Sequence, residues 1–540
     1  MTGSPDVTVI VAVYNTMPYL TECLNSLVGQ SIGRDRLEVI AVDDGSTDGS
    51  GAELDRFAER YPGTVRVIHQ ANSGGPAAPS NRALDVASGR FVYFVGADDR
   101  LGEEALQRMV AHADAHDSDV VIGKMVGTNG RYVHQELYTK DDPDISLYGS
   151  SLPFALANTK LFRRALVEKH HLRFPEDLAV GSDQPFTIEA CVRARRISVL
   201  SDYTYYYAVK RGDASNITYR ADHLARLRCT ARIMEHTAGL IEPGPRRDAV
   251  LTRHFRWELS KLLQKDFVTL DAPVKRQVCE GISALLDAYF TDALRDATGV
   301  KRRVRFGLAR RGAVEELTRA IAEETARGAP PFLVETGRGF ARYPGFRDPA
   351  VGLDDRYYEV LDETVAGRLA AGTELESAVW KQDGQELSLV VRVRLGLTGD
   401  LSSAVVVLAR GAMPPSADRP GARRLPPRTA RPQAVGEFIT EETGNGEGTL
   451  LTARLPVKPV RAERGVRVYA DIAGRTYEIP VRAEGLPMPL ARRWGTSDPY
   501  RASASPNKKG RLVITTAPLW EPRRGMGARL RRKLFRSRRK

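Results

Sequence analysis

Two adjacent carboxylates, Asp98 and Asp99, close an apolar run in Phe94-Val95-Gly96-Ala97-Asp98-Asp99. Neighbouring carboxylates repel, so a chain that sets two at a strand end either leaves them to water or neutralises them with a cation. An acidic, solvated turn meets the first condition. Bound Mg2+ or Mn2+ meets the second, and these hard oxygen ligands can then hold a diphosphate and stabilise charge developing on a leaving group.

Further polar groups stand at comparable places. Asp43 and Asp44 follow another apolar run in Val-Asp-Asp-Gly-Ser-Thr-Asp. They suit a strand-to-helix turn capped by Ser46 or Asp48, and equally a carboxylate that accepts the imide N–H of a uracil ring. Asn72-Ser73-Gly74-Gly75-Pro76 and Pro79-Ser80-Asn81-Arg82 form a loop whose glycines let backbone approach a phosphate or ribose, with Arg82 available to pair with phosphate. Asp183, in Gly181-Ser182-Asp183-Gln184, sits where a helix begins, as a cap or as a base able to take a proton from a hydroxyl. Lys210 and Arg211 are candidate diphosphate contacts or a solvated basic turn. The nine histidines are scattered and suggest no metal ligand. Val13-Tyr14-Asn15 follows the first run where a dinucleotide fingerprint needs clustered glycines, which disfavours a dehydrogenase.

These groups need a scaffold, and the hydrophobic pattern supplies one. Val7 to Val13, Leu37 to Val42, Val65 to Ile68, Phe91 to Val95 and Asp119 to Ile122 read as strands buried on both faces. Between them Tyr19 to Gln30, Ser50 to Arg60, Ser80 to Ala87 and Glu103 to His116 read as helices. The alternation predicts an open, mostly parallel α/β sheet, which binds ligands at the carboxyl ends of its strands. The pattern turns helical over 221–329 and then alternates with period two, as in Leu387, Leu389, Val391, Val393 and Leu395. We expect a first domain over 1–220, a helical linker over 221–329, β modules over 330–412 and 433–520 separated by a Pro/Arg-rich linker at 413–432, and a basic tail over 521–540.

The 540 residues, 42% hydrophobic and 27% charged, exclude a disordered or collagen-like chain and provide for several cores. Cys23, Cys191, Cys229 and Cys279 lack the spacing of a zinc or redox site and suit a reducing compartment. The first residues do not read as a leader, and no apolar run approaches membrane-spanning length, so a cytoplasmic protein is expected. Of the net charge of +13, ten units lie after Glu521, leaving +3 for the rest. Such a tail suits an anionic membrane surface, with Leu530, Leu534 and Phe535 adding apolar contact, or serves only as a solubilising segment. Without aromatic interleaving or a binding motif, a nucleic-acid partner is not expected.

Taken in order, Val11-Ala12-Val13-Tyr14-Asn15, Asp43 to Asp48, Asn72 to Arg82, Asp98-Asp99 and Asp183-Gln184 resemble the family 2 glycosyltransferases with the GT-A fold, over about residues 5–220. Gly127-Thr128-Asn129-Gly130-Arg131, Arg196 to Asp202 and Tyr205-Tyr206-Tyr207-Ala208 are similar to the members that attach N-acetylglucosamine to the polyribitol-phosphate of wall teichoic acid. That resemblance implies an α/β nucleotide-sugar-binding domain, a helical linker and C-terminal β-sandwich-like modules that mediate oligomerisation or polymer contact. It implies that Tyr14 and Asp43 or Asp44 hold uridine, with Asn72 and Arg82 near it, and that Asp98 and Asp99 bind ribose and a Mn2+ or Mg2+ ion. Lys210 or Arg211 then touches the diphosphate, and Asp183 is the base of an inverting transfer from a UDP-sugar to an anionic glycopolymer or lipid-linked acceptor. The place of action would be the inner face of the cell membrane, with the tail as peripheral contact.

The chain departs from the family pattern at several positions. Ala12 replaces a proline, Gly96 the first Asp of Asp-x-Asp, and Ser182 a glutamate; Arg82 comes two residues after the usual arginine position, Ser80. No late histidine occurs near Ser215, where Asp213 is the nearest oxygen ligand. These substitutions motivate an alternative, a catalytically silent polymer-binding scaffold.

Overall fold

The computed structural model describes residues 4–211, 222–330, 332–336, 338–360, 373–399, 401, 404–409, 432–443, 448–460, 462–472, 475–483, 490–494 and 499–519. The basic tail, all but the last residue of the stretch 413–432, and Asp213 and Ser215 lie outside the described residues. The chain divides into two compact units, Met1–Ala297 and Thr298–Lys540. Their boundary falls within the helical stretch expected over 221–329.

The first unit is built on strands β1 (Val7–Val13), β2 (Leu37–Asp43), β3 (Val65–His69), β4 (Phe91–Gly96), β5 (Arg100–Leu101), β6 (Val120–Gly123), β7 (Met125–Thr128), β8 (Leu161–Arg163), β9 (Ile197–Leu200) and β10 (Tyr206–Val209). Its main sheet has the order β3-β2-β1-β4-β8-β6-β9, with β8 antiparallel to both neighbours. Helices α1 (Tyr19–Val28), α2 (Ser50–Arg60), α3 (Ala77–Leu84), α4 (Ala105–His116), α5 (Arg164–Lys169) and α6 (Asp183–Arg193) follow the strands. The apolar runs become strands because both faces are covered: Val9, Val11 and Val13 point into one cluster, Ile10, Ile40 and Val42 into another. α3 begins three residues before the expected Ser80, since Pro76 turns the chain and leaves Ala77 free to start the helix, which carries Arg82.

The parallel register fixes where function can sit. Val13 lies opposite Asp43, Asp43 opposite His69, and Ala12 opposite Gly96, so the loops holding Tyr14, Asp44, Asn72 and Asp98 leave one sheet edge together. A small sheet, β5-β10-β7, brings the end of β10 to the segment after β4. Phe186 of α6 packs edge-on against Phe94 of β4 at 5.5 Å and stacks on Phe174 at 4.3 Å. Truncating such a buried ring costs about 3–5 kcal/mol. This anchor ties the first turn of α6, which begins at Asp183, to β4. Helices α7 (His223–Leu240) and α8 (Pro245–Arg253), the latter continuing through the π-helical turn His254–Glu258, complete the part of this unit that bears on the site.

The second unit opens with helices Val300–Arg310 and Val314–Arg327 and continues in strands. The two β modules expected on either side of 413–432 share one antiparallel sheet: Glu386–Leu395 pairs with Thr449–Pro456, and Val405–Ala409 pairs with both Pro432–Glu442 and Arg464–Ile472. Proline and glycine signals mark where a chain leaves a sheet, while strand partners are chosen by non-local register, which short-range pattern does not encode.

Candidate active site

Side-chain bonds tie the strand-end loops together. Asn15, at a positive φ of 48°, donates its N–H to Ser46 Oγ at 3.1 Å and accepts the Thr47 N–H on Oδ1 at 2.8 Å. Tyr14 beside it stays 46% exposed, a ring free to meet a ligand. Asp43 and Asp44 are both buried but differ in how they are used. Asp44 takes Gln70 Nε2 at 2.6 Å, the Ser73 N–H at 3.1 Å on both oxygens and Ser73 Oγ at 2.9 Å, which fills its roughly four acceptor sites. Asp43 takes the Ser46 N–H at 3.0 Å and faces His69 Nδ1 at 3.0 Å, and so keeps acceptor capacity. His69 also reaches Asp55 at 3.0 Å, and bonding to Asp43 and then Asp55 raises its pKa above 6.5.

Asn72 spends its side chain on its own loop, donating to the Asp44 carbonyl at 3.0 Å and accepting the Gly74 N–H at 3.0 Å. Arg82 is exposed and joins the edge through Gln70 at 3.4 Å. Lys210 is exposed, whereas Arg211 Nε donates to Asp98 Oδ2 at 2.7 Å with both side chains largely covered. Asp99 turns inward: its oxygens accept Tyr206 Oη at 2.6 Å, the Val209 N–H at 2.7 Å and Arg131 Nη1 at 3.2 Å. Burial, followed by the Asp98 charge, pushes its carboxyl up to about 6.

Arg131 reaches Asp99 because Asn129 and Gly130 adopt positive φ values of 54° and 78°, the tight turn that an Asn-Gly pair favours. Sequence reasoning missed Arg131 and Tyr206 as site residues, although both lie in stretches that carried the family resemblance.

Asp183 occupies a second cluster. Lys160 immediately precedes Leu161, which pairs with Tyr93 of β4, and is itself 2% exposed with Nζ donating to Ala155 O at 2.7 Å and to Ala157 O. Burial pulls its ammonium down to about 8, opposed by Asp183. Arg253 at the end of α8 donates to Glu258 at 3.1 Å and to the Pro153 carbonyl at 3.3 Å and lies over Trp257. Burial works against ionisation of Glu258, yet Arg253 and His254 hold it at about 2. Burial likewise raises the Asp183 carboxyl above its usual range, with Arg253 and Lys160 opposing the rise. Lys160 and Arg253 carry no local sequence signal, since each acts through burial beside a distant residue.

For a divalent ion the fit is narrow. Among the described residues no group of three or more His, Cys, Asp or Glu side chains could hold a metal. Asp98 offers one oxygen beyond its bond to Arg211, which suits an ion whose remaining ligands are nucleotide phosphates and water.

The glycosyl transferase family 2 model matches residues 8–171, and that of the glycosyl transferase TarS linker domain matches 222–321. The glycosyltransferase GlyG of Streptococcus pneumoniae is 39% identical over 228 residues, 38% of this chain and 71% of that protein. The chain belongs to glycosyltransferase family 2. The poly(ribitol-phosphate) beta-glucosyltransferase of Bacillus spizizenii is 38% identical over 214 residues, and the poly(ribitol-phosphate) beta-N-acetylglucosaminyltransferase TarS of Staphylococcus aureus 43% over 203. These matches cover 39% and 38% of this chain and only about a third, 34% and 35%, of those relatives. The crystal structure of S. aureus TarS 1-349 in complex with UDP-GlcNAc is similar over 66% of this chain and 99% of that one, with a TM-score of 0.56 and 29% identity. S. aureus TarS is similar in fold over 95% of this chain and 86% of its own, with a TM-score of 0.59 at 23% identity. The first unit therefore carries a GT-A glycosyltransferase domain, followed by a TarS-type linker and a C-terminal antiparallel β region. No helix among the described residues is long and apolar enough to cross a membrane.

Proposed function

We propose that this family 2 member transfers a sugar from a UDP-sugar, with UDP-GlcNAc the first candidate, to a hydroxyl of an anionic cell-envelope glycopolymer such as a teichoic acid, with inversion at the anomeric carbon. The observation that carries this reading is the meeting of Tyr14, Asp43 and Asp98 at one strand edge, with Arg211 drawn onto Asp98 at 2.7 Å. The similar poly(ribitol-phosphate) transferases and the UDP-GlcNAc bound to TarS 1-349 support the same donor and acceptor classes.

Asp43 keeps the acceptor capacity that a uracil imide needs, and Tyr14 offers its ring; Asp44 holds Ser73 and, with Asn72, shapes the loop beside the nucleoside. Arg82, Lys210 and Arg211 provide cations for the diphosphate. A Mn2+ or Mg2+ ion held by Asp98 would offset charge on the departing UDP. Asp183 takes the proton of the acceptor hydroxyl, whose oxygen bonds to the anomeric carbon as the bond to UDP breaks. Lys160 and Arg253 favour its ionised form. The basic tail would hold the chain at an anionic membrane face, and the β region is the candidate surface for self-association.

The test is UDP release from a panel of UDP-sugars, with and without polyribitol-phosphate and Mn2+. Release that depends on Asp98 and Asp183 supports the transferase. Polymer binding without release from any donor supports the silent scaffold instead.

A further inference from the structure

Neighbouring tyrosines of β10 serve opposite faces of the strand. Tyr206 reaches Asp99 through its hydroxyl, whereas Tyr207 turns the other way and lies under Arg100 of β5, whose guanidinium is 4.2 Å from the ring centre. On the Tyr207 side lies an open groove of about 340 Å3, lined by Asn25, Arg100, Gly102, Glu103, Tyr203 and Tyr207 among others. Part of its wall is backbone: Gly102 donates its N–H to the Tyr205 carbonyl at 3.0 Å, and its own carbonyl accepts Gln30 Nε2 at 2.8 Å. A Cβ at 102 would meet the Tyr203 ring at 2.6 Å, so glycine is what lets the ring lie this close. Tyr203 is fixed by Tyr205, edge-on at 5.3 Å, and by Arg108 over its face at 4.9 Å. These side chains suit a polyhydroxylated chain that carries phosphate. The rings match the C–H faces of a polyol, the Asn25 amide and Glu103 carboxylate match hydroxyls, and the Arg100 guanidinium matches phosphate. Arg100 is lightly engaged: its partner Glu22, at 3.2 Å, has a side chain 71% exposed. An ion pair so open to water contributes little, and a phosphate can take its place.

We propose that this groove is a second acceptor subsite, which holds a polyol-phosphate stretch of the glycopolymer remote from the hydroxyl that reacts. The chain itself sets the reach: Arg211 follows Tyr207 by four residues, a span of at most about 14 Å. A long acceptor gains from both contacts, because the second becomes intramolecular once the first is made. A short acceptor gains from one. The inference deepens the acceptor reading above and rests on it.

The full-length chain and the variants Arg100→Met, Asn25→Ala and Glu22→Gln test it, with long polyribitol-phosphate and a ribitol-phosphate dimer as probes. Affinity for each is read by calorimetry, and acceptor KM by UDP release. Arg100→Met should weaken the long polymer about tenfold and Asn25→Ala about threefold, in affinity and KM alike, while the dimer changes by less than about twofold. Glu22→Gln should tighten the long polymer about twofold, because it frees Arg100 from its partner; damage to the fold would act in the opposite direction. Equal losses for polymer and dimer in Arg100→Met would assign that residue to the reacting site or to the fold, and overturn the proposal. Polymer affinity unchanged in both Arg100→Met and Glu22→Gln overturns it as well. Should Arg100→Met not fold, Asn25→Ala and Glu22→Gln carry the same comparison of long and short acceptors. A wild-type chain that transfers to neither acceptor overturns the transferase reading, whereas the polymer affinities of the same variants still decide whether the groove holds polymer.

Discussion

Arg211 donates from Nε to Asp98 Oδ2 at 2.7 Å, across a sequence separation of 113 residues. The bond joins a strand end of the main sheet to the end of β10 and leaves the guanidinium at the place where a diphosphate is expected. A charge-assisted bond of this kind contributes about 1.5–3 kcal/mol.

Replacing Arg211 by Met should therefore raise the donor KM about ten- to a hundredfold, with a smaller change in acceptor KM. Steady-state UDP release at varied donor and fixed polymer measures both. An effect confined to the acceptor would place Arg211 outside the donor site.

His69 supplies a pH-dependent contribution beside Asp43. Its bonds to Asp43 and Asp55 raise its pKa in the folded chain above the ordinary 6.5. The stabilisation is therefore fully present below that value and is lost as pH rises through the folded-state value. The ring is about half exposed, so screening holds the effect to about 1 kcal/mol or less. Thermal unfolding of wild type and His69→Gln at a series of pH values should give a gap that narrows as pH rises from 6 to 9. A gap independent of pH would show that the imidazolium is not the stabilising form.

The edge was legible in the sequence because strands buried on both faces announce themselves as Val/Ile runs, and a parallel sheet then gathers everything that follows those runs. Tyr14, Asp43, Asp44, Asn72 and Asp98 come together on that ground alone. What each carboxylate does was not legible. Asp43 and Asp44 are equivalent in sequence, yet Ser73 and Gln70 saturate only the second, and Asp98 and Asp99 differ because Tyr206 and Arg131 arrive from remote turns. Lys160 and Arg253 were hidden for the same reason. The β region showed its strands by period two, but their partners are set by register across long separations.

Asp183→Asn should lower kcat by about 10²- to 10⁴-fold, the range for loss of a general base, while leaving UDP affinity unchanged. The substitution keeps the shape of the helix start and the Phe186 anchor, so the fold is retained. UDP affinity measured by calorimetry on the same preparation separates lost chemistry from lost binding. A variant with near-wild-type kcat would assign the proton to another group.

Lys160 gives the sharpest test of how that base is tuned. Burial raises the Asp183 carboxyl above its ordinary value, and the positive charges of Arg253 and Lys160 hold the rise in check. The base must be ionised to accept a proton, so the rate should climb with pH through the Asp183 value and level off above it. Lys160→Met removes one of the two restraining charges and keeps the length of the side chain. The acid limb of the pH–rate profile should then move to higher pH, with the plateau reached later. At a pH on that limb the variant loses activity because fewer molecules carry the carboxylate, and raising the pH restores part of the loss. If Lys160 only braced the loop at Ala155 and Ala157, the variant would lose activity by the same factor at every pH, without displacement of the limb.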